Sequence, residues 1–148
     1  MSEIVLDASV LLKWFHTDGE PNVKQASKLR ADFEAGRLSI LVPSLLWLEV
    51  MNVAARRLKW SATQLERLAE RLVGLGFLVV EPELVRVARW AAEGLTAYDA
   101  AYVALAEQSG SQLITDDAGL ADQASKFALA LAEWPGPDED GGDEVKNN

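Results

Sequence analysis

Short apolar runs alternate with longer segments of helical periodicity along most of the chain. The apolar runs predict strands at residues 4–6, 38–42, 77–80 and 113–115, with a weaker, alanine-containing candidate at 127–131. The segments between them predict helices at about residues 9–15, 21–35, 43–58, 61–73, 83–93 and 96–108, and a short helix after Asp117. This alternation is typical of an α/β protein whose small parallel sheet, here of four to five strands, is covered by helices on both faces.

Carboxylates follow two of the predicted strands and lie in two of the predicted helices. Asp7 ends the first strand, and Asp116 and Asp117 follow the fourth. Glu49 lies in the helix after the second strand, and Asp99 lies in the first turn of the sixth helix. Parallel sheets bind ligands outside the carboxyl ends of their strands, so the topology predicts that these acids converge on one edge.

A cluster of acids at one edge requires an opposite charge. Two carboxylates about 5 Å apart repel by roughly 3 kcal/mol at an effective dielectric near 20. A divalent cation would offset this repulsion, and hard oxygen ligands suit Mg²⁺ or Mn²⁺. The pattern therefore predicts metal-assisted phosphodiester cleavage.

Each acid also has a purely structural explanation. Asp7 and Asp117 could each cap the helix that follows, and Asp99 could complete a helix cap. Glu49 could lie on an exposed helical stripe. The metal-site hypothesis is favoured because it explains all four positions together.

Composition restricts the domain organisation and the partners. The chain has 148 residues and is 49% hydrophobic, which suits one domain with a real core, predicted at residues 1–134. Residues 135–148 are rich in Pro, Gly and acid, and we expect them to be disordered. The net charge of −9 argues against coating nucleic acid by bulk charge, so a polyanionic substrate would need local basic residues and metal.

The chain has no cysteine, which excludes a disulfide framework, a thiolate metal site and a cysteine nucleophile. The first residues carry acids where a secretory signal needs basic and then apolar residues. No apolar run approaches the roughly 20 residues of a membrane span. We therefore expect a cytoplasmic protein that does not enter a membrane.

Four motifs together resemble the PIN-domain ribonucleases, and most of all the VapC toxins of VapBC toxin–antitoxin systems. The motifs are DASVLLKW, PSLLWLEVMN, LTAYDAAYVALAE and LITDDAGL, and the resemblance covers about residues 3–131. It implies a PIN-like three-layer α/β/α sandwich. It also implies a metal-dependent endoribonuclease that acts on RNA, pairs with a VapB-like antitoxin and forms a homodimer.

The resemblance also implies the site residues. The family's acids fall on Asp7, Glu49, Asp99 and Asp117, which would be catalytic and would bind one or two Mg²⁺ or Mn²⁺ ions. The fourth acid belongs to a T-x-D motif, which favours Asp117 and leaves Asp116 as an ambiguous extra acid and alternative ligand.

Supporting and basic residues surround these acids. Ser9 and Asn52 match small or polar positions of the family, and Thr115 begins the T-x-D motif. Strand alternation would place Thr115 and Asp117 on one side and Asp116 on the other. The basic candidates for RNA binding, whose alternative role is ordinary helix-end charge, are Lys13, Arg56, Arg57 and Lys59.

Other functions fit the residues less well or remain open. An aspartyl phosphatase needs a D-x-D pair, whereas Asp7 is followed by Ala8 and Ser9. A phospho-receiver needs an Asp at the end of strand three, where the chain reads LVVEPE. A PIN nuclease in housekeeping RNA processing and a catalytically idle PIN-like binding module remain as alternatives.

Overall fold

The computed structural model of the protein describes residues 2–137, so residues 138–148 of the predicted acidic tail lie outside the described residues. Five strands are present, namely β1 Ser2–Leu6, β2 Leu38–Val42, β3 Leu78–Val79, β4 Gln112–Thr115 and β5 Ala128–Ala130. The α-helices of this region are α1 Ala8–Leu11, α2 Val23–Glu34, α3 Leu45–Arg56, α4 Ala62–Val73, α5 Leu84–Ala92, α6 Ala97–Ser109 and α7 Ala118–Gln123. None of these helices is long and apolar enough to cross a bilayer.

The strands form one sheet in the order β3-β2-β1-β4-β5, and every pairing is parallel. The parallel α/β prediction is therefore confirmed, including the weak fifth strand, which is shorter than expected at both ends. β1 is central, and its register places Leu6 opposite Ile114 of β4. Side chains that follow β1 and β4 consequently lie beside each other.

Helices cover both faces of the sheet. Crossover connections between parallel strands are right-handed, so the chain that steps from β1 to β2 and β3 leaves α1–α4 on one face. The return from β3 to β4 and β5 leaves α5–α7 on the other. The helix contacts agree, since α2 packs on β2, α6 packs on β1 and β4, and α7 packs on β4 and β5.

Helix α6 is the most deeply buried helix of this layer. All of its residues from Ala100 to Ala106 are buried, and four of these seven are alanines. Small side chains allow α6 to lie close to β1 and β4, whose Val5 and Leu113 are also fully buried. This packing fixes the first turn of α6, which carries Asp99, at the carboxyl edge of the central strands.

An aromatic cluster closes the opposite face. Phe77 contacts Trp14, Phe33 and Trp47 with ring centroids 5.2–6.0 Å apart. The indole N–H of Trp14 donates to the carbonyl of Ala26 at 3.1 Å, so its polar atom is satisfied. Trp14 is buried, and Trp47 is partly buried against the core.

Two of the differences from the predicted helices lie between β1 and β2. The second helix begins at Val23 rather than Pro21, because Asn22 has a left-handed backbone with φ of 57°. The first predicted helix, residues 9–15, is divided into α1 and a 3-10 turn at Leu12–Trp14. Both differences arise within the same connection, where tertiary contacts of Asn22 and Lys13 fix the chain.

Candidate active site

Asp7 lies at the carboxyl end of β1, beside Thr115 at the end of β4. It is only 7% exposed, and the Ser9 hydroxyl donates to its Oδ1 at 2.5 Å. Burial raises the pKa of Asp7 from 3.8 to about 6, although the Ser9 and Thr115 hydroxyls lower it and the Asp99 charge raises it slightly. An ionised carboxylate at this position is therefore costly in the absence of a cation.

Asp99 is the electrostatic neighbour of the three other predicted acids. Burial raises its pKa, and the charge of Asp117 raises it further. Its own charge contributes in turn to the raised pKa of Asp7 and of Glu49. The helix cap that the sequence suggested is present, but it uses the Asp99 backbone N–H, which donates to the Thr96 hydroxyl at 3.1 Å. The Thr96 side chain also hydrogen-bonds the carboxylate and lowers its pKa, against the larger effect of burial.

Glu49 lies in the second turn of α3 and is half-buried rather than on an exposed stripe. The hydroxyl of Tyr102 donates to its Oε1. Burial raises the pKa of Glu49, while this hydrogen bond lowers it. Tyr102 is 1% exposed, and burial together with Glu49 raises its pKa far above the usual range, so the phenol stays a donor.

Tyr102 is a residue that the sequence reasoning missed. It lies three positions after Asp99 on α6, so the two side chains share a helix face. That spacing was the available signal, because any buried side chain on the face of Asp99 is a candidate partner for another acid. The identity of its partner, Glu49 on a different helix, depends on tertiary packing.

Asp116 and Asp117 point to different partners. Asp117 is exposed, its Oδ1 caps α7 through the Leu120 N–H at 3.1 Å, and its charge acts on Asp99. Asp116 instead forms an ion pair with Lys13 at 3.0 Å. Asp117 thus caps the following helix, as the sequence allowed, and the choice of Asp117 rather than Asp116 as the fourth acid stays a prediction.

The polar and basic candidates differ in their exposure to solvent. Asn52, Arg56, Arg57 and Lys59 are exposed along and beyond α3, and Arg57 also approaches Glu20 at 3.8 Å. Lys13, which the sequence grouped with them as an RNA-binding residue, is 3% exposed. Its burial against Asp116 removes it from the exposed basic group, which corrects that expectation.

A surface groove of about 670 Å³ opens beside Glu49. Apolar side chains of α3 and the exposed ring of Tyr98 form much of its lining, together with Asn52 and Arg56. An extended polymer that lay in this groove would pass beside Glu49.

The donor chemistry of the acids fits a hard divalent cation. Among residues 2–137, no ion pair includes any of the acids Asp7, Glu49, Asp99 and Asp117. In the same region, no three His, Cys, Asp or Glu side chains form a group that could hold a metal ion by themselves. Mg²⁺ is commonly held by one or two carboxylates, water and substrate phosphate, so a closed cage of side chains is not required.

The family comparison identifies the class of protein. The PIN domain family matches residues 4–126, and the chain belongs to this family. No curated protein sequence matches the chain.

Two solved structures are similar over most of the chain. The crystal structure of PAE2754 from Pyrobaculum aerophilum has 25% sequence identity and a TM-score of 0.63, with 88% of this chain and 90% of that chain covered. The crystal structure of FitAcB from Neisseria gonorrhoeae has 18% identity and a TM-score of 0.62, with 88% and 99% covered, and this likeness concerns the fold alone. The PIN-like sandwich expected from the motifs is thus confirmed.

The raised pKa of Asp7 predicts how stability changes with pH. In the unfolded chain Asp7 ionises near 3.8, whereas in the fold it holds its proton up to about pH 6. The folded state binds more protons between these values, so this carboxyl makes the protein less stable as pH rises from 4 to 7. The Asp7→Asn side chain does not ionise. We therefore expect the free energy of unfolding of this variant to fall by about 2 kcal/mol less than that of the wild type between pH 4 and pH 7.

Chemical denaturation of the metal-free proteins at pH 4, 5.5 and 7 measures this difference. Asp122→Asn is a matched control, because Asp122 is an exposed acid on α7. If the free energy of unfolding changes with pH in the same way in the wild type and in Asp7→Asn, the claim that the buried Asp7 carboxylate destabilises the fold is wrong.

Removal of the Tyr102 hydroxyl should change the pKa of Glu49. Because this donor stabilises the carboxylate, Tyr102→Phe should raise the pKa of Glu49 above its wild-type value. Carboxyl NMR titration without metal measures the change, and Tyr98→Phe on the exposed face of α6 serves as the control. An unchanged pKa of Glu49 in Tyr102→Phe would rule out the stabilising hydrogen bond.

Proposed function

We propose that this PIN domain protein is a metal-dependent endoribonuclease that acts as the toxin of a toxin–antitoxin pair. The observation that carries the nuclease proposal is the set of carboxylates around Asp99: its charge adds to the raised pKa of Asp7 and of Glu49, the charge of Asp117 adds to the raised pKa of Asp99, and none of the four has an ion-pair partner within residues 2–137. PIN domains are typically nucleases, and the four motifs fit that activity.

In this proposal Asp7 and Asp99 are the principal ligands of Mg²⁺ or Mn²⁺, and Glu49 and Asp117 complete the site directly or through water. The cation supplies positive charge that activates water for attack on phosphorus and stabilises the departing 3′ oxygen. One or two ions per site are compatible with four carboxylates.

The protein's own residues orient the ligands. Ser9 donates to Oδ1 of Asp7, and Tyr102 donates to Oε1 of Glu49, so neutral donors hold both carboxylates in place. Thr115 accepts the Asp117 N–H at 3.1 Å, which fixes the backbone of the fourth acid. Such outer partners fix ligand orientation before the substrate arrives.

The groove beside Glu49 is the proposed path of the RNA. Exposed Arg56 lies in its lining, and Arg57 and Lys59 follow beyond the end of α3, where they can contact phosphates. These local cations are needed because the net charge of the chain is −9. The absence of cysteine from the sequence is consistent with attack by water rather than by a thiolate.

The toxin role rests on the resemblance of the four motifs to VapC proteins. From the same resemblance we propose that the protein binds a VapB-like antitoxin, forms a homodimer and acts in the cytoplasm. A housekeeping PIN nuclease would share the chemistry but would not arrest growth. A catalytically idle binding module would share neither the cleavage nor the arrest.

Asp99→Asn tests the metal-dependent chemistry. We expect the rate of RNA cleavage with Mg²⁺ or Mn²⁺ to fall by more than about 100-fold. Mutation of residues that only hydrogen-bond a metal ligand already costs about 10–100-fold in metal affinity or activity. The metal-free variant should be as stable as the wild type or more stable, because a repulsive charge is removed. Saturating Mn²⁺ should raise the melting temperature of the wild type and not that of Asp99→Asn.

Single-turnover cleavage and thermal melts with and without Mn²⁺ make both measurements, and Asp122→Asn should behave as the wild type. Wild-type cleavage by Asp99→Asn would show that the site is wrongly assigned. Metal binding without cleavage of any RNA would favour the idle module.

Growth of the native host tests the toxin role. Expression of the wild type alone should arrest growth, and Asp7→Ala at equal protein level should not, because it lacks a ligand. Co-expression of the gene product encoded beside it should relieve the arrest if that product is the antitoxin. Normal growth with active wild-type protein would favour a housekeeping nuclease.

A further inference from the structure

A buried ion pair lies behind the acids and takes no part in the proposed chemistry. Lys13 Nζ lies 3.0 Å from Oδ2 of Asp116, and the two side chains are 1% and 16% exposed. Lys13 belongs to the 3-10 turn after α1, and Asp116 belongs to the connection between β4 and α7. The pair therefore joins the two segments that follow the central strands.

Both oxygens of Asp116 have donors from the chain itself. The side-chain amide of Asn22 donates to Oδ1 at 2.9 Å, while Lys13 binds Oδ2. Asn22 holds a left-handed backbone, with φ of 57°, which Asn tolerates better than most residues. Two donors from separate parts of the chain thus hold this carboxylate in one orientation.

The backbone of Asp116 connects the ion pair to the acids. Its N–H donates to Oγ of Ser9 at 2.9 Å, and the same hydroxyl donates to Oδ1 of Asp7 at 2.5 Å. The hydroxyl has one proton, so accepting the Asp116 N–H leaves that proton for Asp7. Asp117 is the next residue, and the position of its carboxylate depends on the same turn.

We propose that the Lys13–Asp116 ion pair positions the active site by fixing the turn at residues 116–117. It directs the Ser9 hydroxyl to Asp7 and keeps Asp117 beside Asp99. Lys13 and Asp116 are then positioning residues, and neither a phosphate contact nor a metal ligand. The expected effect on metal affinity rests on the proposed function, whereas the effect on the turn does not.

The competing assignment gives a different mutational pattern. If Asp116 were a metal ligand restrained by Lys13, Lys13→Met would free it and tighten Mn²⁺ binding. The double variant Lys13→Met/Asp116→Asn would then bind as weakly as Asp116→Asn alone. A positioning pair instead predicts that each single variant is impaired and that the double variant recovers, because no unpaired charge stays buried.

The experiment compares the wild type, both single variants and the double variant as full-length chains. Mn²⁺ affinity is measured without RNA by the EPR signal of free Mn²⁺. Hydrogen exchange of the Asp116 and Asp117 amides is measured by NMR without metal. Lys28→Met is the matched control, since the exposed Lys28 side chain forms a 3.5 Å pair with Asp32 within α2.

We expect Lys13→Met and Asp116→Asn each to weaken Mn²⁺ binding by about 10–100-fold and to speed exchange at both amides. The double variant should recover part of both losses, and Lys28→Met should match the wild type. Should Lys13→Met not fold, Asp116→Asn and the double variant decide the question alone.

Two results would overturn the proposal. One is unchanged amide exchange in the single variants, and the other is a double variant that is no better than Asp116→Asn. Absence of Mn²⁺ binding by the wild type would defeat the proposed function, while the exchange rates would still decide whether the pair fixes the turn.

Discussion

Repulsion among carboxylates at one edge of a parallel sheet is the constraint on which the rest of this structure depends. Asp7 is buried and its pKa is raised to about 6; the charge of Asp99 adds to the raised pKa of Asp7 and of Glu49, and the charge of Asp117 adds to that of Asp99. Unlike Asp116, which has Lys13, these acids have no ion-pair partner within residues 2–137. The scaffold must hold them together against a force that only protons or an external cation can relieve.

The surrounding packing supplies that support. Helix α6 is buried from Ala100 to Ala106, and its small residues allow close contact with β1 and β4. Ser9 and Tyr102 each give a hydrogen bond to a carboxylate without adding a positive charge. Neutral donors orient the acids and leave their charge uncompensated, as a cation site requires.

The sequence predicted the grouping of the acids better than the contacts that support them. Strand and helix alternation determines which residues meet at the carboxyl edge, so Asp7, Asp99 and Asp117 could be placed from topology and motifs. Tyr102 was missed, and Lys13 was assigned to the RNA surface, because their partners are distant in the chain and depend on packing. The late start of α2 has the same origin, since Asn22 is held by a tertiary contact with Asp116.

The most direct test of the central claim is a crystal structure of the wild-type protein grown with Mn²⁺, with anomalous data collected at the manganese edge. The account predicts an anomalous peak between Asp7 and Asp99, within coordination distance of their carboxylate oxygens. Asp116 should remain paired with Lys13. The account would be contradicted by crystals without a peak at these acids under saturating Mn²⁺, or by a peak that Asp116 coordinates in place of Asp117.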